Sequence, residues 1–240
     1  MALEDLVLPI VIALAGGIIR GITGFGGSLV MTPALSMLFE PKLVIPTVLL
    51  LEAFVAAPTL GEALRKARFK VIGPICLAAF ATVSLGGYVL VHTEPQVLRR
   101  AIAGMVILFS LMLLKNVRYT AQRRMSTSLV LGAVSGVLVG GTGIGAPPVI
   151  LYLLSGPDSI EETRANLMLV VTALSVAALA MMWYRGLLQL EGPLSVLTLG
   201  PSFYAGILVG ARLFRGFSEQ RFRRFTLLFL IVVAVAALLV

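Results

Sequence analysis

The sequence repeats itself at a spacing of 119 residues. Gly17, Gly21, Thr23, Gly24 and Gly26 return as Gly136, Gly140, Thr142, Gly143 and Gly145. The same spacing carries Gly73-Pro74 onto Gly192-Pro193 and Gly87 onto Gly206, so the duplication reads as gapless. A chain built this way folds as two copies of one unit, here residues 1–120 and 121–240, each opened by a glycine-rich interruption. In a very apolar chain that pattern points to a membrane transporter made of two repeats.

Composition supports the membrane. Of 240 residues, 59% are hydrophobic and only 12% charged, about half the charge a soluble domain carries. The net charge of +8 sits in short basic clusters between apolar runs, which orient membrane segments rather than bind nucleic acid. One cysteine, Cys76, excludes an internal disulfide, and with His92 the only histidine there is no His/Cys metal cluster and no cofactor motif. The start, with Glu4 and Asp5 and no Lys or Arg before Arg20, reads as the first membrane segment rather than a signal peptide.

The apolar segments are 6–39, 43–64, 71–92, 96–115, 126–155, 165–184, 187–211 and 222–240. A crossing helix needs about 20 residues. The first and fifth run to 34 and 30 with glycines inside, so each is either one bent crossing or a hairpin that leaves on its entry side. If all eight cross, the Lys and Arg residues outside Arg20 divide nine against nine. If the fifth turns back, fourteen share one face and only Lys42, Arg99, Arg100 and Arg185 lie on the other, as the positive-inside rule requires. The first segment takes the same form from the repeat alone. Three crossings per half then invert the second copy. The expected fold is an all-α polytopic membrane protein of two inverted-topology repeats, each a broken, re-entrant hairpin followed by three transmembrane helices.

The interruptions hold the chemistry. Glycines at 21, 24, 26, 27, 140, 141, 143 and 145 let backbone turn and a ligand approach closely. A new helix follows each break, capped by Ser28 in the first half and opened by Pro147-Pro148 in the second. Two helix starts aimed inward would hold a small anion. The candidate binding residues are Thr23, Gly24, Phe25, Gly26, Gly27 and Ser28, then Thr142, Gly143, Ile144, Gly145, Ala146 and Pro147, with Arg20. The upstream stripes Ala13-Gly17-Gly21 and Gly132-Gly136-Gly140 read instead as close helix packing.

Arg20 and Glu52 fall within membrane segments, where ionisable groups are costly and mark function. Arg20 is either a fixed positive charge beside the anion or a partner of Glu52 that ties two helices together. Glu52 is also a candidate to carry a coupling proton, although its counterpart in the other half is Val171. Arg164 and Asn166 open the sixth segment, at an inner vestibule or the interface, and Trp183-Tyr184 form an interfacial anchor.

Gly21–Gly27 (GITGFGG) and Gly140–Leu154, with its GIGAPPVILYL core, resemble the TauE/SafE sulfite exporter family, as does Glu162-Thr163-Arg164-Ala165. The resemblance covers essentially the whole chain. It implies a secondary carrier of the bacterial inner membrane for small anions such as sulfite, sulfoacetate or other sulfonates, surrounded by lipid and compatible with a homodimer. It places the binding region at the glycine-rich turns and the Pro-Pro helix start. Ala146 stands where the family often has glycine, and Arg20 has no match in its motif. The alternatives are an anion channel or a carrier of small carboxylates. An intramembrane enzyme is disfavoured, since the only aspartates, Asp5 and Asp158, lie near segment ends.

Overall fold

The computed structural model describes residues 3–23, 26–115, 124–154, 158–188 and 195–214. Among these, nine helices and no strand occur: α1 (Leu3–Thr23), α2 (Gly27–Leu38), α3 (Pro41–Lys66), α4 (Phe69–His92), α5 (Pro95–Leu114), α6 (Met125–Thr142), α7 (Ala146–Leu154), α8 (Ile160–Tyr184) and α9 (Val196–Phe214). Five of them, α4, α5, α6, α8 and α9, are long and apolar enough to cross a bilayer. The expected last segment, 222–240, lies outside the described residues, as do Gly192 and Pro193.

Both over-long segments are broken, as the glycines predict. Gly26 takes φ 94° before α2, and Gly143 takes φ 70° after α6, a left-handed backbone that side chains with a Cβ disfavour. In each half the shorter helix folds back on the longer one. Gly16 of α1 faces Met31 of α2, and Gly145 lies on the Ser135 carbonyl, where a Cβ would stand 2.6 Å from the oxygen. Ser128 and Tyr152 share a hydrogen bond of 2.9 Å between the far ends of α6 and α7. Two antiparallel hairpins result.

Among the described helices the two largest interfaces are α4 with α6 and α1 with α9, so each hairpin packs on a helix of the opposite half. Glycine makes both possible. A Cβ on Gly132, Gly136 or Gly140 would fall inside 3 Å of the backbone at Ile75, Ala79 or Val83; one on Gly17 or Gly21 would do the same at Phe203 or Ile207. Contact positions rise together along both partners, so each pair runs parallel. With little hydrophobic drive between helices in lipid, such backbone-to-backbone approach is what associates them. The upstream stripes are packing surfaces, as expected.

The same contacts refine the repeat. Gly86 lies against Val137 as Gly210 lies against Ile18, and Gly136 meets Ala79 and Thr82 as Gly17 meets Phe203 and Gly206. The equivalent of Gly86 is therefore Gly210, a spacing of 124, and Gly87 pairs structurally with Ala211 rather than Gly206. Two residues separate α3 from α4, and the extra five residues of the second copy fall in the chain between Tyr184 of α8 and Val196 of α9. The duplication is gapless through the hairpins only.

Polar contacts mark two ends of the bundle. Lys42 Nζ donates to the Val91 carbonyl at 3.0 Å, joining the start of α3 to the end of α4. At the other end, in the α3–α4 turn, the Arg68 N–H donates to Asn166 Oδ1 at 2.8 Å and its guanidinium to Asp158 at 2.7 Å. This hydrogen bond and the charges of Asp158 and Glu162 hold the Arg68 pKa above its usual value. Ser159 and Glu162 close a capping box on α8. Large apolar side chains such as Phe54, Leu77, Val130 and Leu197 face outward, where lipid replaces water as solvent. Trp183 and Tyr184 are exposed at the end of α8, the place of an interfacial anchor.

Candidate functional site: two broken helices and a buried ion pair

At the first break, Arg20 and Glu52 form a salt bridge, with side chains only 8% and 2% exposed. The last turn of α1 supplies the guanidinium and the middle of α3 the carboxylate. Glu52 does a second thing. Its Oε1 accepts the backbone N–H of Ser28 at 2.9 Å, so a carboxylate occupies the amide-rich start of α2. Gly27 permits this approach: a Cβ there would lie 2.5 Å from Glu52 Oε1 and 3.1 Å from the Phe203 ring.

Ser28 is not the N-cap that its hydroxyl suggested. The cap is Gly26, which makes no side-chain hydrogen bond, and Ser28 sits one residue inside α2. A nearby carboxylate takes the role the hydroxyl was expected to fill, and it can do so only because position 27 has no side chain. Gly24 and Phe25, together with the side chain of Thr23, lie outside the described residues.

Among the described residues, the second break is built without charge. Thr142 Oγ1 donates to the Leu138 carbonyl at 2.7 Å and accepts the Ile144 N–H at 3.2 Å, so one hydroxyl ends α6 and shapes the turn. Gly143 follows in the left-handed region, Ile144 is 1% exposed, and Gly145 packs on Ser135 and Val139. Ala146 then opens α7, with Pro147 and Pro148 in its first turn where their missing N–H groups cost nothing. At the 119-residue spacing, Val139 and Val171 stand in the places of Arg20 and Glu52.

The open side of Gly143 faces Ile45 of α3 and Thr32 of α2, five residues beyond Gly27, or about 7 Å along the helix. Thr32 was not among the sequence candidates, because a threonine inside an apolar helix gives no signal of its own. It is fully buried, and among the described residues its hydroxyl has no hydrogen-bond partner. Asn166 is also fully buried, held at the Arg68 turn and away from both breaks; the side chain of Arg164 lies outside the described residues.

Two helical hairpins, each packed on a helix of the opposite half, in a bundle with five helices long and apolar enough to cross a bilayer, are the build of a multi-pass membrane protein. The chain belongs to the Sulfite exporter TauE/SafE family, which it matches over residues 9–237. Among curated proteins and among solved structures, nothing matches it.

Proposed function

We propose that this protein is a secondary transporter of small oxyanions, with sulfite and organosulfonates as the leading cargo, in a bacterial inner membrane. The observation that carries this reading is the Glu52 carboxylate, seated at the start of α2 between Arg20 and the Ser28 N–H. A fold that already accommodates an anionic oxygen at a broken helix has the chemistry to accept one from solution. The binding region comprises the two turns, Thr23–Ser28 and Thr142–Pro147, with Arg20 as the nearby positive charge. Ser28 contributes through its backbone.

Alternating access follows from two units, 1–120 and 121–240, that rock against each other around these turns. The directions of the contacts support an upside-down relation between them. α6 runs parallel to α4, which starts at the Arg68 end; α1 runs parallel to α9, which follows α8 from the opposite end. The two hairpins thus enter from opposite faces. Cysteines introduced one at a time at Ser159 and Gly186, in a Cys76→Ser background, are expected to react with a membrane-impermeant maleimide from opposite sides. Labelling of both from one side would contradict the arrangement.

The cargo is tested by ligand-dependent stabilisation, since a ligand at 100 times its Kd raises stability by about 2.7 kcal/mol. Sulfite or sulfoacetate is expected to raise Tm by several degrees, with chloride inert. A shift with small carboxylates alone would reassign the cargo.

A further inference from the structure

The two helix starts differ in what occupies them. The start of α2 is taken by the chain's own Glu52. The start of α7 has no equivalent carboxylate, because Val171 stands at that position. What faces the second turn instead is a hydroxyl from the first half. Thr32 Oγ1 lies 3.7 Å from where a Cβ on Gly143 would stand, a polar atom from across the interface beside the two Ile45 carbons there.

That hydroxyl behaves differently from four other helical threonines. Thr47, Thr82, Thr142 and Thr172 each donate to the carbonyl four residues earlier, at 3.0, 3.0, 2.7 and 2.8 Å. Such back-bonding is the ordinary way to satisfy a hydroxyl in an apolar bundle. Among the described residues the Thr32 hydroxyl has no hydrogen-bond partner, although it is fully buried. A buried donor left alone costs about 1–3 kcal/mol, so valine would be the better residue if packing were its only role.

We infer that Thr32 contacts the transported anion at the second turn, donating its hydroxyl to a substrate oxygen held against Gly143 and the start of α7. This rests on the transport reading above. A helix start leaves four N–H groups without intrahelical partners. Prolines at 147 and 148 remove two, so the backbone of Gly145 and Ala146 supplies the other donors. Two amides and a hydroxyl match an oxyanion with three oxygens, such as sulfite or a sulfonate. The site is asymmetric: the first half closes its own helix start with Glu52 and lends Thr32 to the second. Here the turn is closed, with Ile45 Cγ2 3.1 Å from the Gly143 Cβ position, so loading requires α2 and α3 to move off it.

The test uses purified full-length protein, with sulfite and sulfoacetate as probes and Tm as the readout. For Thr32→Val the ligand-free Tm is expected to stay level or rise, because an unpaired hydroxyl is removed. Its affinity for both anions should fall at least about tenfold, the loss of one hydrogen bond to a charged group. Thr32→Ser should retain most of the affinity. Wild-type affinity in Thr32→Val, or a lower ligand-free Tm with affinity unchanged, overturns the assignment. If neither anion shifts the wild-type protein, the sulfite and sulfonate reading of the cargo fails and takes this one with it.

Discussion

Gly136→Leu is expected to abolish the folded protein. A Cβ at 136 would run into the Ala79 backbone and the Thr82 hydroxyl, which itself bonds the Ala133 carbonyl at 2.8 Å. Overpacking usually costs about 1–3 kcal/mol when side chains can give way. Here the obstruction is helix backbone, so relief requires α6 to separate from α4 and forfeits the largest interface among the described helices. The loss should exceed ~3 kcal/mol, enough to remove the monodisperse peak in detergent. Gly104→Leu is the matched control, since no described residue lies within 4 Å of its Cβ position. It should behave as wild type. Equal tolerance of both substitutions would mean that α4 and α6 do not touch.

The second large effect is at the ion pair. Glu52→Leu leaves Arg20 buried without its partner and strips the start of α2 of its acceptor. Breaking a buried pair from one side costs about 3–5 kcal/mol, whereas replacing both partners with apolar groups is often close to neutral. Arg20→Met combined with Glu52→Leu is therefore expected to recover most of the lost stability, measured by reversible unfolding in mixed micelles. Transport by the double variant then separates a role in transport from helix pairing. Loss of anion transport in a stable double variant gives the pair a role in transport, through Arg20 at the cargo or Glu52 as a proton carrier; wild-type transport assigns both to helix pairing alone. A single Glu52→Leu variant as stable as wild type would contradict the pairing.

What the sequence made legible is what depends on local rules. The broken segments follow from length and glycine content, and the packing stripes follow from small residues four apart. Both are properties of contiguous residues. The Arg20–Glu52 pair was readable as one of two options, because two opposite charges in apolar segments have few places to go. Three features were hidden because they depend on the third dimension. Ser28 looked like a cap by its residue type, but a carboxylate 24 positions away reached the helix start first. Gly87 and Gly206 matched at the repeat spacing, yet five extra residues ahead of α9 slid that helix past the register of α4. Thr32 resembles any other helical threonine until its missing hydrogen bond is seen. Its neighbour across the interface comes from the opposite half.

Counterflow in proteoliposomes is the most direct measurement of the central claim, that an anion is handed across the membrane at the two turns. Vesicles preloaded with unlabelled sulfite or sulfoacetate are expected to accumulate the labelled anion transiently and saturably, and Gly143→Val should abolish this while leaving insertion intact. The Gly143 backbone, at φ 70° and closed in by Ile45, cannot take a β-branched side chain without changing the turn. Uptake that does not saturate and shows no counterflow, or full activity in Gly143→Val, would contradict the account.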